Sequence, residues 1–595
     1  MKKREWLERE CAKITVANEH HKSREIFEQI SKIKGKHIHI QNQSIKNKEG
    51  KTLTENEDIL GRWHSYGKEL FDTVETKTNY YHSFEPEPKP LFAEVESAIR
   101  QLKKEKSPGL DNIPGELLTF SGESSYHALH YLCVKVWETC EWPKDWKLQE
   151  FVMLYKSGDV KDCNNYRTIA LISHASKILL IIILNRMKQK VEAELSDCQA
   201  GYRRNRGTVD MLFILQILIE KVRNTTDEAF ITFIDYSKAF DSVSHQHLFN
   251  TMNAMGFPKY LISLLYSLYD EQKATIRWNG EHCTYFGINK GVRQGCILSP
   301  HLFSIYTEDV MREADIDDMG ITVGGRNLTN LRYADDTALL ANDITNMKDI
   351  LYKVDTAGIA DNLKLNAKKT KVMHVNGKAT PPNIQVNNID LEYVKNFKYL
   401  GSIKSNDGTC LQDIKTRIAM AKQKMVQLNN IWKDRGIPLF LKLKILKCLI
   451  WPVVLYGCEA WTLRKEESDK LKAAEMWFYR RLLRVSWTDK RTNESVLEEL
   501  SVQRQLLQEI DRRRLRYIGH ANRSTSTNLM STVMMGKVQG KRKRGRPPTS
   551  YIGNVIDASG LTMQELVHLS TEREEWRNLV TSRGAPNVVT GEGER

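Results

Sequence analysis

Two short apolar runs constrain this chain more than any other feature, because each carries carboxylates where a strand should be buried. Phe233-Ile234-Asp235-Tyr236-Ser237-Lys238-Ala239-Phe240-Asp241 holds Asp235 just after Ile231, Phe233 and Ile234, with no local charge partner. Leu331-Arg332-Tyr333-Ala334-Asp335-Asp336-Thr337-Ala338-Leu339-Leu340 holds the adjacent pair Asp335 and Asp336. The flanks of both read as buried strands, and a carboxylate left unpaired there is costly. Two hard divalent cations held by oxygen ligands, magnesium or else manganese, relieve that cost and can clamp the attacking and leaving oxygens of a phosphoryl transfer. Asp235, Asp335 and Asp336 are therefore the candidate catalytic and metal-ligating residues, and nucleotide polymerisation is the simplest chemistry they fit. Strand alternation sends neighbouring side chains to opposite faces, so the pair need not ligate equally; Asp335 is expected to be the stronger ligand.

Blander readings stand beside this one. Asp241 opens a segment through Ser242-Val243-Ser244-His245-Gln246-His247-Leu248 that reads as a helix, where an acidic residue is a cap or dipole partner. Asp335-Asp336 also suits a hairpin turn.

In order and type, Asp235, then Gly291-Val292-Arg293-Gln294-Gly295-Cys296-Ile297-Leu298-Ser299-Pro300, then Tyr333-Ala334-Asp335-Asp336 resemble the reverse transcriptase of non-long-terminal-repeat, LINE-type retrotransposons. Other blocks agree. Lys106-Ser107-Pro108-Gly109-Leu110-Asp111-Asn112-Ile113-Pro114 looks like the family's opening fingers motif, and Asn164-Asn165-Tyr166-Arg167-Thr168-Ile169-Ala170-Leu171 like its second block, with Thr168 where the family has proline. The resemblance covers roughly residues 45 to 560. It implies an α+β right-hand polymerase of fingers, palm and thumb, with a small antiparallel palm sheet and a helical C-terminal region. The expected divisions are a linker region over 1–90, fingers and palm over 91–403, a thumb over 404–500 and a basic region over 501–595. The three alternating prolines of Glu85-Pro86-Glu87-Pro88-Lys89-Pro90 mark the first boundary, after a helix expected around Ile26, Ile30 and Ile33.

The resemblance also assigns roles. Arg167, assisted by Lys156, would grip the triphosphate of the incoming nucleotide through charge-assisted bonds, although Lys156 equally fits a solvated turn lysine. Phe240, five positions after Asp235, resembles a steric gate against a ribose 2′-hydroxyl; its plain reading is core. Gln294 resembles the residue that contacts template and nucleotide, while Gly291 and Gly295 would permit close backbone approach. Ser299 and Pro300 make a good helix start for a segment through Val310. In Leu363-Lys364-Leu365-Asn366-Ala367-Lys368-Lys369-Thr370-Lys371, Lys369 would stand near the leaving pyrophosphate as general acid or electrostatic stabiliser, against the reading of a basic surface edge. Asn396-Phe397-Lys398-Tyr399-Leu400-Gly401 resembles the primer grip, carried by Phe397, Tyr399, Leu400 and Gly401. The implied partners are an RNA template, a DNA primer or target, and deoxynucleoside triphosphates.

Composition narrows the setting. The run Ile178–Leu184 is too short to span a bilayer, so no membrane is expected, and the charged start Met1-Lys2-Lys3-Arg4-Glu5-Trp6 lacks the apolar core of a signal peptide. An intracellular protein of nucleus and cytoplasm is expected, its 10 cysteines reduced. No Cys/His spacing suits structural zinc, and no cysteine follows Cys458. Relatives often carry an endonuclease ahead of the polymerase, so a chain that starts in the linker is expected to be a truncated copy or gene model.

The formal charge is +15, and Arg512 to Ile556 holds eleven Lys or Arg with no Asp or Glu, which localises the expected phosphate-binding surface there. Within it Lys541, Arg542, Lys543, Arg544, Gly545, Arg546 and Pro547 resemble an AT-hook core, an extended strand suited to a narrow minor groove; a nuclear localisation signal or a disordered basic linker fits as well. Two other functions stay open: an RNA-copying polymerase that makes RNA, against which Phe240 argues, and a catalytically silent, retrotransposon-derived nucleic-acid-binding protein.

Overall fold

The computed structural model describes residues 2–19, 44–73, 87–377, 381–523, 529–545 and 548–582. The helix expected around Ile26, Ile30 and Ile33, the residues Glu85 and Pro86, and Arg546 and Pro547 lie outside these. The strands used below are, in chain order, β1 (Leu148–Tyr155), β2 (Tyr166–Leu171), β3 (Ala229–Ile234), β4 (Lys273–Trp278), β5 (Asn330–Tyr333), β6 (Asp336–Ala341), β7 (Lys371–Val375), β8 (Glu392–Tyr393), β9 (Asn396–Tyr399) and β10 (Ser402–Ser405). The helices are α1 (His174–Glu194), α2 (Thr208–Arg223), α3 (His245–Ala254), α4 (Ser299–Glu313), α5 (Ile344–Ala360), α6 (Leu411–Gln427) and α7 (Leu506–Arg523).

The central sheet runs β5-β6-β3-β7-β8, antiparallel except for the short parallel pair β7–β8. Its middle strand explains the arrangement. All of Ala-Phe-Ile-Thr-Phe-Ile in β3 is buried, and side chains of a strand alternate between faces. Phe230 and Ile234 enter one hydrophobic core, which includes Met347, Ile350 and Val354 of α5. Ile231 and Phe233 enter a second core on the other face, with Phe213, Leu215 and Ile217 of α2. β6 alternates likewise, Leu339 and Ala341 facing the first core, Ala338 and Leu340 the second. Full burial of a side chain such as Phe233 contributes about 2 kcal/mol, so a one-residue slip of this strand would expose one core and force Thr232 into the other.

A second sheet carries the block around Arg167. β1 pairs antiparallel with β2 and parallel with β4. α1, whose run Ile178–Leu184 is buried throughout, is a core helix, and no helix among the described residues is long and apolar enough to cross a membrane. The ten cysteines are all free thiols.

Segments from the N-terminal and C-terminal regions join cores that the sequence assigns elsewhere. Residues 44–73, expected within a linker, place Ile45, Ile59, Trp63, Tyr66 and Phe71 in the first core, and Leu7, Cys11 and Ile14 of the helix Lys2–Glu19 pack with Ile445 and Leu449 in the helical region after 404. From the C-terminal region, Tyr517, Tyr551 and Trp576 share the second core with α2. In the helical region after 404, Trp451, Trp461 and Tyr479 are buried, and Tyr456 and Trp477 are half-buried. α4 begins at Ser299 with Pro300 in its first turn, but the residue at its cap position is Leu298, which offers no side-chain bond.

Candidate active site

The register of the central sheet brings the three aspartates together. Thr337 of β6 pairs with Ile234 of β3, so Asp336 and Asp235, one residue further along each strand, leave the sheet side by side. Tyr333 pairs with Asp336, which makes Ala334-Asp335 a two-residue hairpin turn. The turn reading and the catalytic reading of this pair are thus one geometry. Ala334 takes φ +59°, a left-handed value that a non-glycine residue adopts only when its surroundings hold it there. They do so through a segment that sequence reasoning passed over. Gln199 Oε1 accepts from Ala334 N at 3.1 Å and from Gly201 N at 2.8 Å, Ala200 N donates to Arg332 O and Arg332 N to Cys198 O, and a Cβ on Gly201 would stand 2.4 Å from Ala334 N. Gly201 beside a glutamine was the available signal. Beneath the turn, buried Arg332 bonds Glu308 at 2.8 Å; removing either partner would leave an unpaired buried charge, at about 3–5 kcal/mol.

Asp335 and Asp336 are exposed but crowded by surrounding protein. That crowding, then the charges of Asp335 and Asp235, push Asp336 up to about 6. Asp335 is raised too, first by loss of solvent, with Asp235 adding to it and Arg167 and Lys156 opposing. Like charges held this close want a cation, and an all-carboxylate donor set with open sides suits a hard divalent ion. The set fits the metal that the fold implies, and Asp235, Asp335 and Asp336 are the residues that would hold it.

The cationic rim is equally local. β1 and β2 form a hairpin in which Leu154 pairs with Arg167; alternation leaves Arg167 exposed while Tyr166 and Thr168 turn inward. Lys156 lies in the loop of this hairpin and is held below the usual lysine range by desolvation and by the charge of Arg167. Opposite, Ser237 N bonds Lys364 O, Asn366 N bonds Asp235 O and Asp235 N bonds Thr370 Oγ1. This brings Lys369 Nζ to 3.5 Å from Asp235 Oδ2. Exposed Tyr202, not singled out from sequence, also faces the site: desolvation and the charge of Asp335 raise its hydroxyl.

Phe240 is half-buried and stacks on Phe303, centroids 4.4 Å apart and rings 14° from parallel. Gly291 and Gly295 have φ +89° and +116°, and a Cβ on Gly295 would lie 2.8 Å from Ala170 O; the loop can approach β2 only as glycine. Gln294 points inward: its carbonyl accepts from Ala170 N and its amide donates to Asp241 Oδ1 at 2.8 Å. Asp241 caps nothing. Ser244 caps α3 by accepting from His247 N at 3.2 Å, while Asp241 is buried, bonded also by Thr168 Oγ1 at 3.3 Å, and burial pushes it up to about 6. Thr168, at the position where a proline was expected, supplies a donor that proline lacks.

The hairpin of β9 and β10 turns at Leu400-Gly401, with φ +45° and +82°. Phe397 stacks on Phe233 at 4.1 Å, and Tyr399, buried, donates to Leu331 O at 3.1 Å. Leu400 O accepts from Tyr456 at 2.8 Å, and Gly401 O from Arg417 of α6. This hairpin is thereby fixed both to the aspartate sheet and to the helical region.

The basic segment lies elsewhere. Arg542 bridges to Thr225, Thr226 N bonds Lys541 O, Lys543 N bonds Asn224 O and Lys543 Nζ reaches Arg223 O and Asn376 Oδ1. Lys541 to Lys543 are thus tied to the body of the protein by these bonds rather than a free linker, and Arg544 and Gly545 are exposed. They sit at the start of β3, whose 6 residues carry the chain roughly 20 Å, at about 3.3 Å each, to the aspartates at its other end. Nor do the arginines of α7 all face solvent: Arg512 and Arg513 pair with Glu509, and buried Arg514 with Asp511. These acidic partners lie just before the all-basic segment in the same helix, so the formal excess overstates the free charge there.

Residues 155–403 match the family described as reverse transcriptase (RNA-dependent DNA polymerase). The chain is 26% identical, over 66% of its length and 44% of the relative's, to the RNA-directed DNA polymerase from mobile element jockey of Drosophila melanogaster. It is 27% identical, over 64% of its length and 53% of the relative's, to the retrovirus-related Pol polyprotein from type-1 retrotransposable element R2 of Popillia japonica. It thus spans about half the length of these relatives. Apo telomerase from Candida tropicalis aligns over 67% of this chain and 69% of that one at 12% identity and a TM-score of 0.35, a likeness too slight to build on. The chain carries a reverse transcriptase domain, and its homologues are non-LTR retrotransposon RNA-directed DNA polymerases.

Proposed function

We propose that this chain is an RNA-directed DNA polymerase of a LINE-type retrotransposon, extending a DNA or RNA primer on an RNA template with deoxynucleoside triphosphates. The observation that carries this is the convergence of Asp235 with Asp335 and Asp336 between Arg167 and Lys369, all within residues that match the reverse transcriptase family. Asp235, Asp335 and Asp336 would hold Mg2+, or Mn2+ in its place. When bound, the ions supply Lewis-acid stabilisation of the charge that develops as the primer 3′-hydroxyl attacks the α-phosphate in line. Arg167 and Lys156 neutralise triphosphate oxygens from the hairpin side. Lys369, 3.5 Å from Asp235, orients that carboxylate and stands ready to stabilise the leaving pyrophosphate. The Leu400-Gly401 turn, fixed by Tyr456 and Arg417, presents a rigid backbone edge to the primer strand.

Primer extension on a homopolymer RNA template tests this reading. Deoxynucleotide incorporation that depends on a divalent cation, and is lost in Asp335→Ala while nucleic-acid binding remains, is the expected result. Ribonucleotide preference would favour an RNA-making polymerase instead, and tight binding without incorporation a silent nucleic-acid-binding protein.

A further inference from the structure

Three segments that frame the aspartates converge behind them on one imidazole. His247 in α3 faces a carboxylate with each ring nitrogen: Nε2 lies 3.1 Å from Asp309 Oδ2, and Nδ1 lies 3.1 Å from Asp361 Oδ1. Asp309 and Glu313 stand one turn apart on α4, and Asp361 closes the C-terminal end of α5. One donor atom from each of His247, Glu313 and Asp361 lies within 4.8 Å of the others.

An imidazolium could face both carboxylates, but its two N–H groups would still leave the second oxygen of Asp361 without a donor. A neutral imidazole has one N–H and cannot donate to two carboxylates. Asp361 is 3% exposed, and its Oδ2 has no hydrogen-bond partner, a costly state for a buried anion. The nearest guanidinium on α4, Arg312, bonds Glu194 and faces Glu308. Three carboxylates thus surround one imidazole. Asp309 is the exception within the set, since it also accepts from Thr251 of α3. That leaves Asp309, 3.1 Å from Nε2, to orient the imidazole, with Nδ1 on the side of Asp361, the arrangement in which a second carboxylate orients a metal-bound histidine.

We propose that His247 Nδ1, Glu313 and Asp361 bind a transition-metal dication of the zinc class, with Asp309 orienting the imidazole. A nitrogen donor beside two carboxylates favours such an ion over magnesium, and the exposure of Glu313 leaves a side open for water. The ion would tie α3, which follows the Asp235 strand, to α4, which follows the Gln294 loop, and to the end of α5, which leads into the Lys364–Thr370 segment bonded to Asp235. This site uses none of the residues assigned to catalysis, and its donors differ from the cysteine sets whose absence argued against zinc.

The test uses full-length protein carrying Asp235→Asn and Asp335→Asn, so that the catalytic carboxylates no longer compete for metal. It is equilibrated with Zn2+ under excess Mg2+, and bound zinc is counted by mass spectrometry alongside the unfolding temperature. One zinc per chain and a zinc-dependent rise in unfolding temperature are expected. Both should be lost in Glu313→Gln, a change at an exposed side chain that leaves the fold intact, and Asp309→Asn should weaken binding roughly 10–100-fold. Replacement by Co2+ should give ligand-field absorption that His247→Gln removes. Absence of stoichiometric zinc, or zinc retained in both Glu313→Gln and His247→Gln, would overturn the assignment.

Discussion

Gln294 Nε2 donates to Asp241 Oδ1 across 2.8 Å, joining a residue of the glycine-flanked loop to a buried carboxylate 53 positions earlier. Thr168 Oγ1 bonds the same oxygen from β2. The helix-turn after Asp235, the strand that carries Arg167 and the loop before α4 are therefore pinned at one atom, and the relative placement of nucleotide-facing residues depends on it.

Because burial raises Asp241 to about 6, above the ordinary value near 3.8, the ionised form costs stability at neutral pH, and the cost is relieved as pH falls through about 6. Asn keeps the accepting oxygen that both donors use. Asp241→Asn is expected to be more stable than the parent at pH 8 by on the order of 1–3 kcal/mol, with the gain shrinking below pH 6 and gone near pH 4. Denaturant unfolding at these pH values checks it, and a pH-independent difference would contradict the assignment.

The repulsion among Asp235, Asp335 and Asp336 gives a paired prediction. Asp336→Asn should raise the unfolding temperature of metal-free protein while lowering extension at least tenfold, about 1.4 kcal/mol or more of transition-state stabilisation. Added Mg2+ should stabilise the parent more than the variant, as read by thermal unfolding with and without chelator.

Phe240 packs on Phe303, and the resemblance to a steric gate would also bring it against the sugar. Phe240→Ala should cost about 2 kcal/mol of stability, less than a fully buried Phe→Ala, and should ease ribonucleotide incorporation. If stability falls and sugar discrimination is unchanged, the ring is packing only.

At the far end of β3, replacing Lys541, Arg542 and Arg544 by Ser should weaken duplex DNA binding without sequence preference. The salt dependence of affinity should flatten by about one unit of slope for each phosphate that is no longer neutralised. Extension on a short primer-template should change little, because the segment is docked at the end of the sheet remote from the aspartates.

Much of the site was readable in one dimension because its chemistry is local. Asp235 and the Asp335-Asp336 pair stand where apolar strands end, and strand register alone suffices to align them. Lys369 follows from a short connection that folds back on Asp235. The bonds to Asp241 were not readable: an acidic residue at a helix start has a cheap local explanation, and the better one needs donors 53 and 73 positions away. Gln199 and Gly201 were missed for the same reason, their partner being the backbone of a turn more than a hundred residues downstream.

The sequence by itself determined the alternating apolar pattern that builds a two-faced sheet, the carboxylates at its end and the basic residues nearby, since side-chain periodicity and the cost of a buried charge act over a few residues. Only the tertiary structure decided which of those charges are already paired within the chain, as in α7, that the helix Lys2–Glu19 and the residues from Tyr517 to Trp576 share cores with the rest of the protein, and that His247 meets three carboxylates from two other helices. Such pairings depend on how separate elements pack, which no local pattern encodes.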